Sequence, residues 1–165
     1  MSSTAAGIAG ATGRTIEDLT LEVNQEIRIR ASLDVTFAAL VEQLGTAFDT
    51  PDGQPMPMKL ELRPGGRWYR DLGDENGHLW GHIQAIKRPT LLEITGPMFM
   101  SYPVASNIQW RLSEVDGGTL IIFHHTALGL IQSNHREGVG KGWTHIQESA
   151  RKRAEAQGPG KTAAR

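Results

Sequence analysis

The chain is 165 residues long, carries 17 Lys and Arg against 18 Asp and Glu for a formal net charge of −1, and contains no cysteine. That length suits a single domain able to bury roughly 70% of the surface its unfolded form exposes, and the missing cysteines exclude disulfides, thiol nucleophiles and thiolate metal sites. Near-neutral charge without a basic stripe argues against nucleic acid as a partner, because phosphate neutralisation supplies most of that affinity.

In chain order, residues 1–18 are rich in Ser, Thr, Ala and Gly and are expected to be a disordered segment. Met1–Gly13 has neither the basic nor the apolar region of a secretory leader, and no apolar run approaches the ~18 residues of a membrane span. A cytoplasmic protein without a membrane span is therefore expected. A strand follows, in which Leu21, Val23, Ile27 and Ile29 alternate with polar residues, and Gln25 places a polar group in the inner row. Ser32 or Asp34 can cap a helix whose apolar stripe, Val35, Phe37, Ala38, Leu40, Val41 and Leu44, ends at Gly45. Asp49–Pro57, with three prolines and a glycine, reads as a loop.

Strand signals then come in succession. Met56, Met58, Leu60 and Leu62 point one way, Pro64-Gly65-Gly66 supplies a turn, and Arg67–Leu72 returns. Asp74–Gly77 is a second turn, leading into His78–Lys87, a break at Pro89, and a strand over Thr90–Thr95. Ser106–Glu114 and Thr119–Thr126 flank Asp116-Gly117-Gly118 as a hairpin. The connections are too short for crossover helices, so an antiparallel sheet is predicted. A last helix over about 136–156 presents Val139, Trp143, Ile146 and Ala150 on one face, while Gly138, Gly140 and Gly142 predict a late start. Residues 157–165 are expected to be a disordered tail, leaving a single domain over 19–156. This order predicts an α+β helix-grip fold, a curved antiparallel sheet of about six to seven strands wrapped around a long C-terminal helix with a cavity between them.

Several motifs recur together in one family: Leu60-Glu61-Leu62-Arg63-Pro64-Gly65-Gly66-Arg67-Trp68, the Gly81–Thr95 run with its central Pro89, Gly117-Gly118-Thr119-Leu120 before His124-His125, and the Gly142-Trp143 pair. Together they resemble the SRPBCC (START-like) superfamily, in the branch named after the activator of the heat-shock chaperone ATPase, over about 21–156. The resemblance implies the helix-grip fold and a hydrophobic pocket between sheet and final helix. Relatives range over lipid carriers, polyketide cyclase-like enzymes and chaperone regulators, so the fold alone does not name an activity. Family members often carry a tryptophan-bearing segment after the first helix. Here Gly45–Pro57 has no Trp, which implies a differently built entrance.

Seven residues are candidates for contacting a ligand in that cavity: Trp68, Trp80, His82, Phe99, Trp110, His124 and Trp143. Tryptophan joins a large apolar face to one N–H donor and serves a core or a binding wall equally well; Trp143 has the best claim because its helix face must meet the sheet. His78 and His82 lie about 13 Å apart along an extended strand, too far to share one ion. Adjacent His124 and His125 point to opposite faces, so one of the two reaches the interior. His135 and His145 are expected to be exposed. No paired-carboxylate pattern, nucleophile elbow or phosphate loop is visible, so no catalytic residue, metal ligand or cofactor is assigned. Met98-Phe99-Met100, between Gly96-Pro97 and Tyr102-Pro103, forms either a flap or contact surface, or a buried loop. The leading expectation is a non-enzymatic domain that binds a small apolar or amphipathic molecule. The alternatives are a polyketide cyclase-like enzyme that uses a pocket His or Gln25 for proton transfer, and a chaperone-regulating or other protein-interaction module. A homodimer or protein partner stays open.

Overall fold

The computed structural model describes residues 13–158. The elements run α1 (Ile16–Leu19), β1 (Thr20–Ile29), α2 (Leu33–Leu44), β2 (Lys59–Leu60), β3 (Arg67–Gly73), β4 (Asn76–Lys87), β5 (Leu91–Gly96), β6 (Val104–Val115), β7 (Gly118–Gly129) and α3 (Ser133–Ala156). All seven strands join one antiparallel sheet in the order β1-β7-β6-β5-β4-β3-β2. The chain thus closes back on itself: β1 pairs with β7, and the intervening strands form a meander. This is the predicted helix-grip arrangement, with α2 packed on α3 and both facing the sheet's inner side.

Local chemistry accounts for the boundaries. Ser32 caps α2, its hydroxyl accepting from the Val35 N–H at 3.4 Å, and Gly45 ends it. The buried face of α2 includes two polar residues that the apolar stripe omits, Thr36 and Gln43, while Ala38 is exposed. Asp74 and Glu75 both have positive φ, which suits the tight hairpin joining β3 to β4. Where β4 crosses β5, Gly81 and Gly96 let the backbones close in: a Cβ on Gly96 would lie 2.4 Å from the Trp80 carbonyl oxygen. The expected strand through Met56–Leu62 is ordered as a strand only at Lys59–Leu60.

Two starts differ from the sequence reading. Residues 1–12 lie outside the described residues, but the remainder of the expected N-terminal segment holds α1, closed by a capping box between Thr15 and Asp18. Helix α3 begins at Ser133, ahead of the three glycines expected to delay it. Tertiary bonds hold its glycine-rich half: the Arg136 guanidinium donates to the Asp18 and Thr20 carbonyls, and the Gln25 amide donates to the Gly140 carbonyl at 2.9 Å. Such contacts offset the roughly 1 kcal/mol each glycine costs relative to alanine. Of the expected tail, Gln157 and Gly158 are described and 159–165 are not.

The core runs the length of α3. Trp110, Phe123 and Trp143 meet with ring centroids 5.0–5.7 Å apart, and Ile108, Ile121 and Leu92 fill the space around them. A second aromatic group, Phe48, Trp68 and Trp80, packs edge to face at 5.0–6.2 Å between the 45–57 loop and β3–β4. Among the described residues no helix is long and apolar enough to cross a membrane.

Candidate functional site

The second aromatic group does not close the molecule at that end. Beyond it lies a cleft of about 490 Å³, open to solvent, between the loop after α2, the free ends of β3 and β4, Phe99 and the first half of α3. Phe48, Met56, Trp80, Phe99, Val139, Trp143 and Ile146 supply apolar parts of its wall. Gly138 and Gly142 are one helical turn apart on α3, and a Cβ on either would meet nothing within 4 Å. The missing side chains therefore widen the cleft. The expected cavity is thus an open cleft at one end of the helix, since Trp110, Phe123 and Trp143 fill the middle of the sheet–helix space.

A register change decides which side chains reach this wall. Between β3 and β4 the pairing passes from Trp68–Gly81 to Tyr69–Leu79, leaving Trp80 as an extra residue. Such a bulge shifts the alternation by one. His78 and Trp80 therefore face inward, and the next inward residue is Ile83 rather than His82, which lies exposed on the outer face. On β7, His125 is the inward member of its pair, fully buried, while His124 lies outside beside Asn24.

Of the seven expected contacts, the structure brings Trp80, Phe99 and Trp143 to the cleft. Trp68 is buried beneath it, its indole N–H donating to the Leu44 carbonyl at 2.8 Å. Trp110 is buried in the central core with no hydrogen-bond partner for its N–H among the described residues. The Met98–Met100 segment combines both expected roles: Met98 and Met100 are fully buried anchors, and Phe99 between them is presented to the cleft.

The polar groups on the wall are mostly occupied. His78 accepts from the Trp80 indole N–H at Nδ1 (3.2 Å), so its neutral ring carries hydrogen on Nε2, which faces the Ser101 hydroxyl at 3.2 Å. His135 stacks on Tyr102 and bonds its hydroxyl through Nδ1 at 2.8 Å. His145 Nε2 lies 3.0 Å from Asp49 Oδ1, which also accepts from the Gln43 amide at 2.9 Å. His135 and His145, expected to be exposed, are half-buried lining residues instead. The signal for them was present: 135, 138, 142 and 145 share one helix face, and glycines on that face marked where it leaves the core. Behind the wall, the Trp143 N–H donates to His125 Nδ1 at 2.9 Å, and His125 Nε2 bonds the Ser106 hydroxyl at 3.0 Å. Burial pushes the His125 pKa down to about 4, because desolvation disfavours the charged ring. No group of three or more His, Asp or Glu among the described residues is arranged to hold a metal.

The sequence matches the family model described as activator of Hsp90 ATPase homolog 1-like protein over residues 30–152. No curated protein matches it. Solved structures match along most of the chain. An uncharacterized protein from Rhizobium leguminosarum is 17% identical with a TM-score of 0.64, covering 83% of this chain and 95% of its own. An AHSA1-like protein from Aeromonas hydrophila is 17% identical at a TM-score of 0.60, covering 84% and 94%. The di-domain ARO/CYC StfQ from the steffimycin biosynthetic pathway is 13% identical at 0.62, with 86% of this chain matching 53% of that one. At these identities the likeness is one of fold.

Proposed function

Because the chain belongs to the activator of Hsp90 ATPase homolog 1-like family and carries an open apolar cleft beside its last helix, we propose that it binds a small apolar or amphipathic molecule there. The observation that supports this most directly is the pair Gly138 and Gly142. A helix face with open space for a Cβ at both positions is left bare where it borders a 490 Å³ space, within the size range of small-molecule sites. Burying apolar ligand surface against Trp80, Phe99 and Trp143 would contribute about 25 cal/mol per Å². A cytoplasmic setting is part of the proposal, supported by the cysteine-free composition.

The test is native mass spectrometry of the purified protein for a retained small molecule, paired with titration of a hydrophobic fluorescent probe. Gly142→Leu, which puts a side chain into the cleft, is expected to abolish retention and weaken the probe at least tenfold while leaving the circular dichroism unchanged. Equal binding by wild type and Gly142→Leu would overturn the reading.

One observation favours a second reading, proton-transfer catalysis. With Asp49 accepting from His145 Nε2, the other ring nitrogen keeps its lone pair for use as a general base. A turnover assay on ketide-like substrates that loses rate in Asp49→Asn but keeps binding would support it. Gln25, the other group considered for this role, is committed elsewhere, to Gly140, Thr144 and Gln147. The interaction-module reading has less support, since it calls for an exposed apolar patch near Met98–Tyr102 and Met98 and Met100 are fully buried.

A further inference from the structure

One wall residue is set apart from the others by what it lacks. Arg70 lines the cleft from the inner side of β3, opposite His78 in the register, and its guanidinium forms no hydrogen bond or ion pair among the described residues. Each other ionisable lining group has a partner: Asp49 with Gln43 and His145, His78 with Trp80 and Ser101, His135 with Tyr102. The neighbouring carboxylate on β3, Asp71, is engaged by Lys59. The cleft thus presents one uncommitted cation on a wall of apolar residues and partnered ionisable groups.

From this geometry we propose that the ligand is an amphipathic acid, a carboxylate or similar anion on an apolar body, with Arg70 as the residue that selects the charged head. The proposal rests on the cleft being a binding site and names the chemistry of its occupant. A guanidinium is suited to the task because its planar fork offers paired donors to a carboxylate and stays charged at any physiological pH. The site also explains why Arg70 sits where it does. Alternation on β3 puts Trp68, Arg70 and Leu72 on the inner side, and only beyond the Phe48–Trp68–Trp80 cluster does that side leave the core, so a charge is tolerated at 70 and not at 68. The first turn of α3 borders the same cleft without a side-chain cap, so the positive end of that helix adds to the field an acid would meet.

The experiment compares decanoate, decanol and decylamine, three ligands with one tail and different heads, by tryptophan fluorescence and calorimetry on the full chain. Wild type is expected to bind decanoate about tenfold more tightly than decanol, and decylamine least. In Arg70→Gln the decanoate preference disappears while decanol affinity holds; in Arg70→Glu decylamine overtakes decanoate. Equal affinities for decanoate and decanol in wild type would overturn the acid proposal and leave the cleft reading intact. A decanoate preference that survives in Arg70→Gln would overturn the role of Arg70. Failure of all three to bind would remove the cleft reading itself. Arg70 is exposed, and an unchanged melting temperature in both variants confirms that the fold is preserved.

Discussion

His125 and Trp143 tie the cleft wall to the core through one hydrogen bond, and the pair sets a pH response for the whole protein. The folded pKa of His125, about 4, lies below the ordinary histidine value of 6.5, so between those values the unfolded chain binds a proton that the native state refuses. Stability is full above pH 6.5 and falls as pH drops towards 4, by about 3 kcal/mol from this group. The groups facing the ring, Trp143 and Ser106, are neutral and do not offset the loss. Urea unfolding across pH 4–7 is expected to show this slope, and His125→Phe to flatten it; an equal slope in the variant would refute the assignment. Trp143→Phe keeps the ring but orphans the buried His125 nitrogen, for an expected loss of about 1–3 kcal/mol by the same method. That one of His124 and His125 points inward follows from strand alternation. Which one does so depends on the β1–β7 and β6–β7 registers, and a single sequence does not contain them.

Within α3, the three glycines and the polar bridge to β1 pull in different directions. Gly138→Ala and Gly142→Ala meet no neighbour, and each is expected to raise stability by up to about 1 kcal/mol in thermal unfolding while narrowing the cleft. A gain in stability with loss of ligand is what a helix face kept bare for binding should show. The bridge behaves differently. Gln25 donates to the Gly140 carbonyl and the Thr144 hydroxyl and accepts from the Gln147 amide. Gln25→Leu leaves the Gln147 amide without that partner and is expected to cost about 1–3 kcal/mol, whereas Gln25→Leu with Gln147→Leu should recover most of the loss. Denaturant melts of the two single variants and the double variant decide between these outcomes. The inner position of Gln25 was readable as a break in an apolar row, but its partners were not, since they lie more than a hundred residues away in the chain. The early start of α3 was hidden for the same reason: helix propensity counts the glycines and does not see Arg136 reaching back to Thr20.

Across the molecule, the β1–β7 pairing joins the two ends of the sheet's sequence, and the β3–β4 hairpin tip projects past the core at the other side. Hydrogen exchange is accordingly expected to be slowest in β6 and β7, whose inner residues are buried along most of their length, and fastest at 70–78, where nearly every residue is exposed. Slow exchange at the tip would contradict the picture of a free cleft rim. The order of elements from β1 onward, the antiparallel sheet, the α3 face carrying Val139, Trp143, Ile146 and Ala150, and a cap for α2 at Ser32 or Asp34 were determined by the sequence itself. They rest on periodicity, turn residues and connection length, which act between near neighbours. The cleft was settled only by tertiary structure. One bulge at Trp80 turned His78 inward and His82 outward, while packing drew Trp68 beneath the cleft and Trp110 into the central core. Long-range bonds held His135 and His145 at the opening, and the β3–β4 register brought Arg70 there. A side chain's direction depends on register, register is set by pairing between distant strands, and a local pattern carries no record of that pairing.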